Sequence, residues 1–140
     1  MADKITLAPN PENKCFGCGG ANHAGMKLTF VQDNALRRIV GRFVLGDAYQ
    51  GGGGMAHGGI IATLLDEAMG KVCRFREVRA VTAELSIEYL KPVKVDQEIV
   101  VEGFETDQKG RNLFLAGEIR NGTGEVLARG KGRFVVIGQK

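Results

Sequence analysis

Only one stretch of this chain carries a helical period, and that limits the architectures open to it. From Gly58 to Phe75, Ile61, Leu64, Leu65, Ala68, Met69 and Val72 fall within one wide arc of a helical wheel, with Ile60, Ala62 and Cys73 at its margins. An arc that wide predicts a helix buried on most sides. Elsewhere the apolar pattern has period two. Two strands are expected before the helix, Met26 to Val31 and Leu36 to Leu45, joined by a turn at Gln32-Asp33-Asn34. After it, Ala83, Leu85, Ile87 and Tyr89 alternate with Thr82, Glu84, Ser86 and Glu88 until Pro92 ends the strand. Three more strands follow, Glu98 to Glu105, Leu113 to Arg120 and Val126 to Ile137. Turn signals at Gln108-Lys109-Gly110 and at Asn121-Gly122-Thr123-Gly124 join them as antiparallel hairpins. With a single helix there is no repeated βαβ unit. The order β-β-α-β-β-β-β therefore predicts an α+β fold, an antiparallel sheet wrapped around one long central helix. Ala128, Gly130 and Gly132 share one face of the last strand, where small side chains let a helix come close.

At 140 residues the chain fits one domain, expected over 26–140, preceded by an N-terminal segment, 1–25, that carries a C-x-x-C motif. No apolar run approaches membrane-spanning length, and the first residues lack the apolar core of a signal peptide, so a cytoplasmic protein with no membrane partner is expected. Three cysteines, an odd number without export features, fit a reducing compartment. A net charge of +3 is too small to argue for nucleic acid. A sheet of this kind leaves an open edge, which makes a homodimer, or a homotetramer built as a dimer of dimers, the default assembly.

The chemistry concentrates where a glycine-rich loop, Gly51 to Gly54, runs through His57, Gly58 and Gly59 into the helix. Glycines at a helix start leave the unpaired N–H groups of the first turn open to a carbonyl oxygen. Two turns later the same helix supplies adjacent acids, Asp66 and Glu67. They lie on opposite flanks of the apolar arc, and periodicity does not choose between them. Gly58 and Asp66 are eight positions apart, roughly 12 Å along the axis. Both reach one substrate only if the helices of two subunits run antiparallel. His57 either caps the helix or touches substrate.

The run from His57 to Met69, with Thr82-Ala83-Glu84-Leu85-Ser86-Ile87-Glu88-Tyr89-Leu90-Lys91-Pro92 downstream, resembles the PaaI-like branch of the hotdog-fold acyl-CoA thioesterases. The resemblance spans roughly residues 35 to 137 in element order. It implies hydrolysis of acyl-CoA to coenzyme A and a free acid, with no cofactor. In that family the acid nine residues after the histidine is general base or nucleophile, here Asp66. The backbone N–H after the histidine polarises the thioester carbonyl, here Gly58. A hydroxyl seven positions before the tyrosine of the next strand orients water, here Thr82. Many relatives carry an amide six residues before the histidine; this chain has Gly51 there, and Gln50 stands one position earlier as the candidate for that task. Gly59, Glu67, Lys91, Arg129 and Lys131 complete the set as candidate substrate-binding residues. Arg129 and Lys131 alternate with Arg133 on the last strand, either as a clamp for coenzyme A phosphates or as a solvated outer face. A non-catalytic acyl-CoA-binding protein is the alternative function. A hotdog dehydratase would need a catalytic histidine paired with an acid in a different motif, and only His23 and His57 are present.

Cys15-Phe16-Gly17-Cys18-Gly19 has knuckle-like spacing, but with His23 it offers three ligands where a structural zinc site wants four, so no metal is assigned. Gly51 to Ala56 satisfies G-x-G-x-x-A without the βαβ context of a dinucleotide site, and no G-K-[ST] follows for a nucleotide P-loop.

Overall fold

The computed structural model describes residues 3–140. Seven strands form one antiparallel sheet: β1 (Lys4–Leu7), β2 (Phe30–Asp33), β3 (Arg38–Val44), β4 (Val78–Tyr89), β5 (Glu98–Lys109), β6 (Asn112–Asn121) and β7 (Val126–Gln139). Their spatial order is β1-β2-β3-β5-β6-β7-β4. The sheet wraps helix α1 (Gly58–Val72), which a short 3-10 turn, Cys73–Arg76, extends. This is the sheet around one helix anticipated from the single helical period, and the hotdog arrangement that the family resemblance implied. None of the described helices is long and apolar enough to cross a membrane.

The buried residues of α1 are Ile61, Leu64, Leu65, Ala68, Met69 and Val72, the six that the wheel placed in the apolar arc. They meet a core built from Phe30, Ile39, Val101, Leu115, Ile119 and Ala128. What lets the helix approach is a row of glycines. Gly103 on β5 stands opposite Gly117 on β6, which stands opposite Gly130 on β7. A Cβ at 103 would lie 2.6 Å from the Ala68 carbonyl oxygen; one at 117, 3.1 Å from a Leu65 methyl; one at 130, 3.1 Å from the Met69 methyl. The row continues on β7 at Gly132, whose Cβ would lie 3.4 Å from Met69 Sδ.

Four features depart from the periodicity reading. β1 was not foreseen; it pairs with β2 from Lys4↔Asp33 to Leu7↔Phe30. Residues 26–29 are not strand, because Met26 N–H and Leu28 N–H are bonded to the carbonyls of Phe16 and Gly17 in the N-terminal segment. Gln32 and Asp33, read as a turn, lie within β2. Gln32 is buried there because its amide oxygen accepts from Arg74 Nε at 2.9 Å.

The fourth departure is in β4. Thr82 pairs with Phe134 and Glu84 with Arg133, so Ala83 is an extra residue in the ladder, a β-bulge. Upstream of it even-numbered residues face the helix; downstream, Leu85, Ile87 and Tyr89 do, opposite Gly132, Gly130 and Ala128. Thr82 and Tyr89, which strict alternation puts on opposite faces, thus share one. β4 bonds only to β7, and among the described residues no strand covers its outer edge.

At the far end of the helix, Arg76 grips Glu105 of β5 with two bonds, Nε to Oε1 at 2.6 Å and Nη2 to Oε2 at 2.7 Å. The guanidinium holds the Glu105 carboxyl below its ordinary value of 4.5. A carboxyl whose pKa falls on folding adds stability above its unfolded value, and that stability is lost as pH falls through the folded one. Glu105→Gln is therefore expected to lower stability by about 0.5 to 1 kcal/mol near neutrality. The difference should vanish in urea titrations below the folded pKa.

The glycine row predicts a sharper effect. Gly103→Ala forces a methyl against helix backbone and is expected to destabilise by about 2 kcal/mol or more. Gly122→Ala, where a Cβ meets nothing within 4 Å, should leave the melting temperature within a degree or so of wild type.

Candidate active site

The loop before α1 is closed by its own backbone. Gly51 N–H bonds to the Met55 carbonyl at 2.8 Å, His57 N–H to the Tyr49 carbonyl at 2.8 Å, and Gln50 bridges to Ala56. His57 is the N-cap of the helix. Its Nδ1 accepts from Gly59 N–H at 2.9 Å, so its ring proton sits on Nε2. This uses up the Gly59 amide, which is therefore not free for substrate. The Gly58 N–H has no acceptor among the described residues, as expected at the first position of a helix. The Gly58 carbonyl is fixed from the sheet side, where Tyr89 OH donates to it at 2.8 Å. Met55, Ala56, Gly58, Ile61, Tyr89 and Lys91 line a cleft of about 310 Å³ at this helix start.

The middle of the helix separates the two acids. Thr82 Oγ1 donates to Asp66 Oδ1 at 2.7 Å, a contact the bulge at Ala83 permits. Glu67 turns to the N-terminal segment, where its Oε1 accepts from Cys15 Sγ at 3.4 Å and its side chain packs on Gly17. Asp66, Glu67, Thr82, Lys71, Arg74 and Arg79 line a second cleft, of about 580 Å³. Gly58 and Asp66 of one chain therefore open into different clefts, as their helical separation requires. Burial and the charge of Glu67 push the Cys18 thiol up to about 12.

The remaining candidates fall outside these clefts or on their rim. Gln50 is exposed; the Cβ that an amide residue would need at 51 lies 3.2 Å from His57 Cα. Lys91 borders the Gly58 cleft and is ion-paired with Glu125. Arg129 and Lys131 project from the sheet face away from the helix, Arg129 within 3.7 Å of Glu88. Cys15 and Cys18 gather with Glu67; His23 is not in that group. The sequence reading missed the thiol partner of Glu67, and only a contact across 52 positions could have revealed it.

One buried helix in a curled seven-stranded antiparallel sheet defines a hotdog fold. The chain belongs to the thioesterase superfamily, whose model matches residues 53–128. It is 36% identical over 97 residues to Acyl-coenzyme A thioesterase THEM4 of Rattus norvegicus, covering 69% of this chain and 42% of that protein. The chain thus spans less than half the length of that curated relative. A crystal structure of a thioesterase superfamily protein superposes with a TM-score of 0.81 at 28% identity, over 87% of this chain and 60% of the other. A hypothetical thioesterase of Streptococcus pneumoniae TIGR4, solved with coenzyme A, gives 0.71 at 27% identity, over 74% and 83%.

The cap assigns His57 a structural duty that can be measured. His57→Ala is expected to lose about 1 kcal/mol of stability. His57→Asn, whose side-chain oxygen can accept the same amide proton, should recover most of it in denaturant unfolding.

Proposed function

We propose that this protein hydrolyses acyl-CoA thioesters at two equivalent sites of a homodimer, each site joining Gly58 of one chain to Asp66 of the other. The observation that carries this reading is the Thr82 to Asp66 hydrogen bond on one flank of α1, with the unspent Gly58 N–H at its start. Neither group alone does acyl transfer. Two antiparallel helices would bring them onto one carbon. The free edge of β4 supports that pairing, because Leu85 and Tyr89 on its helix-facing side stay 38% and 53% exposed.

In this reading the thioester carbonyl oxygen accepts from Gly58 N–H, whose dipole meets the developing negative charge without reorganising. Asp66 takes a proton from water with the oxygen that Thr82 leaves free, and the hydroxide so formed attacks the carbonyl carbon. The tetrahedral intermediate collapses, breaking the carbon–sulfur bond. The thiolate recovers the proton from Asp66, and the acid departs. Coenzyme A as the carrier is supported by the relatives: one is named an acyl-coenzyme A thioesterase, and another was solved with coenzyme A. Two further structures of the pneumococcal protein carry alanine at an aspartate and at a threonine sixteen residues later, the spacing of Asp66 and Thr82. Lys91, on the rim of the Gly58 cleft, is a candidate cation for the coenzyme A phosphates.

The test exploits the shared site. Asp66→Asn should bind acyl-CoA yet lose thiol release by at least about a hundredfold. Gly58→Pro removes the N–H while keeping the helix start, since proline suits the first helical position and His57 already has the extended backbone, φ −63° and ψ 137°, that a residue before proline requires; its ring adds carbons beside Tyr89, whose hydroxyl would lie 3.5 Å from the new Cβ. Its expected loss is about 10²- to 10³-fold. Mixed dimers of the two variants contain one intact site and should regain up to half of wild-type turnover. Hydrolysis that survives Asp66→Asn overturns the catalytic role. Two inactive variants that fail to complement overturn the shared site. Heavy oxygen from solvent recovered in Asp66 after one turnover overturns the general-base role.

A further inference from the structure

The C-F-G-C-G segment has no part in the chemistry above, yet it is built tightly against the helix that carries Asp66. Cys15 N–H donates to Asn13 Oδ1 at 2.7 Å, and Gly19 N–H to the Cys15 carbonyl at 2.9 Å, which folds the five residues into one compact turn. The turn is tied to the chain leading into β2 through the Phe16 and Gly17 carbonyls. Gly19 is sterically required, and Gly17 leaves room for the Glu67 side chain. A Cβ at 19 would collide with Asn13 and Cys15 backbone, and a Cβ at 17 would occupy the space of the Glu67 carboxylate. The loop is thus shaped to receive that carboxylate.

One sulfur each from Cys15 and Cys18 and one carboxylate oxygen of Glu67 lie within 4.8 Å of one another, all on half-buried side chains. A tetrahedral zinc ion, with bonds of about 2.3 Å to sulfur and about 2.0 to 2.2 Å to oxygen, needs ligand atoms roughly 3.5 to 3.8 Å apart. Small side-chain rotations reach those distances. Two thiolates with a carboxylate form a donor set suited to zinc and its neighbours rather than to magnesium or calcium. Together with a divalent ion they leave one negative charge, and Lys71, one turn beyond Glu67, lies close enough to act on Cys18 electrostatically. We propose that Cys15, Cys18 and Glu67 bind a zinc-like divalent cation, with the fourth position open to the cleft that Glu67 lines, so that the ion clasps the N-terminal segment to α1.

The probe is cobalt(II) alone, titrated into the full chain stripped of metal and kept reduced. One cobalt per chain is expected, with an intense near-ultraviolet sulfur-to-cobalt absorption that zinc abolishes by displacement. Cys15→Ser and Cys18→Ser should each lose that band, Glu67→Gln should weaken cobalt binding by at least about tenfold, and His23→Ala should change nothing. Circular dichroism checks that each variant is folded. The wild-type titration needs no variant, and absence of the band up to millimolar cobalt overturns the proposal. So does a band indifferent to Glu67→Gln, or one lost in His23→Ala. None of these readouts depends on hydrolysis, so this site and the hydrolase reading stand or fall separately.

Discussion

The structure depends on how close one helix can come to one sheet. Apolar helices pack on sheets through side chains from both surfaces, and the separation follows from their bulk. Here the sheet contributes almost no side chain beneath Leu65, Ala68 and Met69, because Gly103, Gly117 and Gly130 stand in register across three adjacent strands. The helix settles into that trough, and its other faces are then met by the curling strands at either side. That depth brings β4 alongside the helix, so that Tyr89 reaches the Gly58 carbonyl and Thr82 reaches Asp66.

One helix then serves three purposes at three positions along its length. Its start is capped by a histidine that occupies the second amide and leaves the first free. Its middle presents two acids that the sheet and the N-terminal segment sort between them, Asp66 to a hydroxyl and Glu67 to a thiol. Its end is tied to β5 by Arg76 and Glu105. The acids differ in what they touch rather than in kind.

Much of this was legible in the chain. The helical period identified all six buried residues of α1, and alternation with turn chemistry located most of the strands. Gly130 and Gly132 were recognised as helix-facing, but Gly103 and Gly117 were not, since cross-strand register is not written in any one strand. β1 escaped because four exposed-to-half-buried residues, Lys4–Leu7, carry too short a pattern to separate from a tail. Gln32 and Asp33 looked like a turn because the partner that satisfies Gln32, Arg74, is 42 positions away. Of the candidate site, the Gly58 amide and the adjacent acids Asp66 and Glu67 were legible from the helix itself, whereas the preference for Asp66 and the choice of Thr82 came only from the family resemblance; the structure adds that Thr82 and Asp66 touch while Glu67 meets Cys15.

The extra residue in β4 explains a count that otherwise has no physical meaning. Seven steps separate Thr82 from Tyr89, an odd number, and an unbroken pleat sends odd-numbered neighbours to opposite sides. Because both must look at the same helix, the parity has to be corrected once between them, and Ala83 does it. With the same residues kept in an unbroken ladder, either the hydroxyl or the phenol would turn outward. Irregularity at that single site is thus the condition for both contacts to exist together.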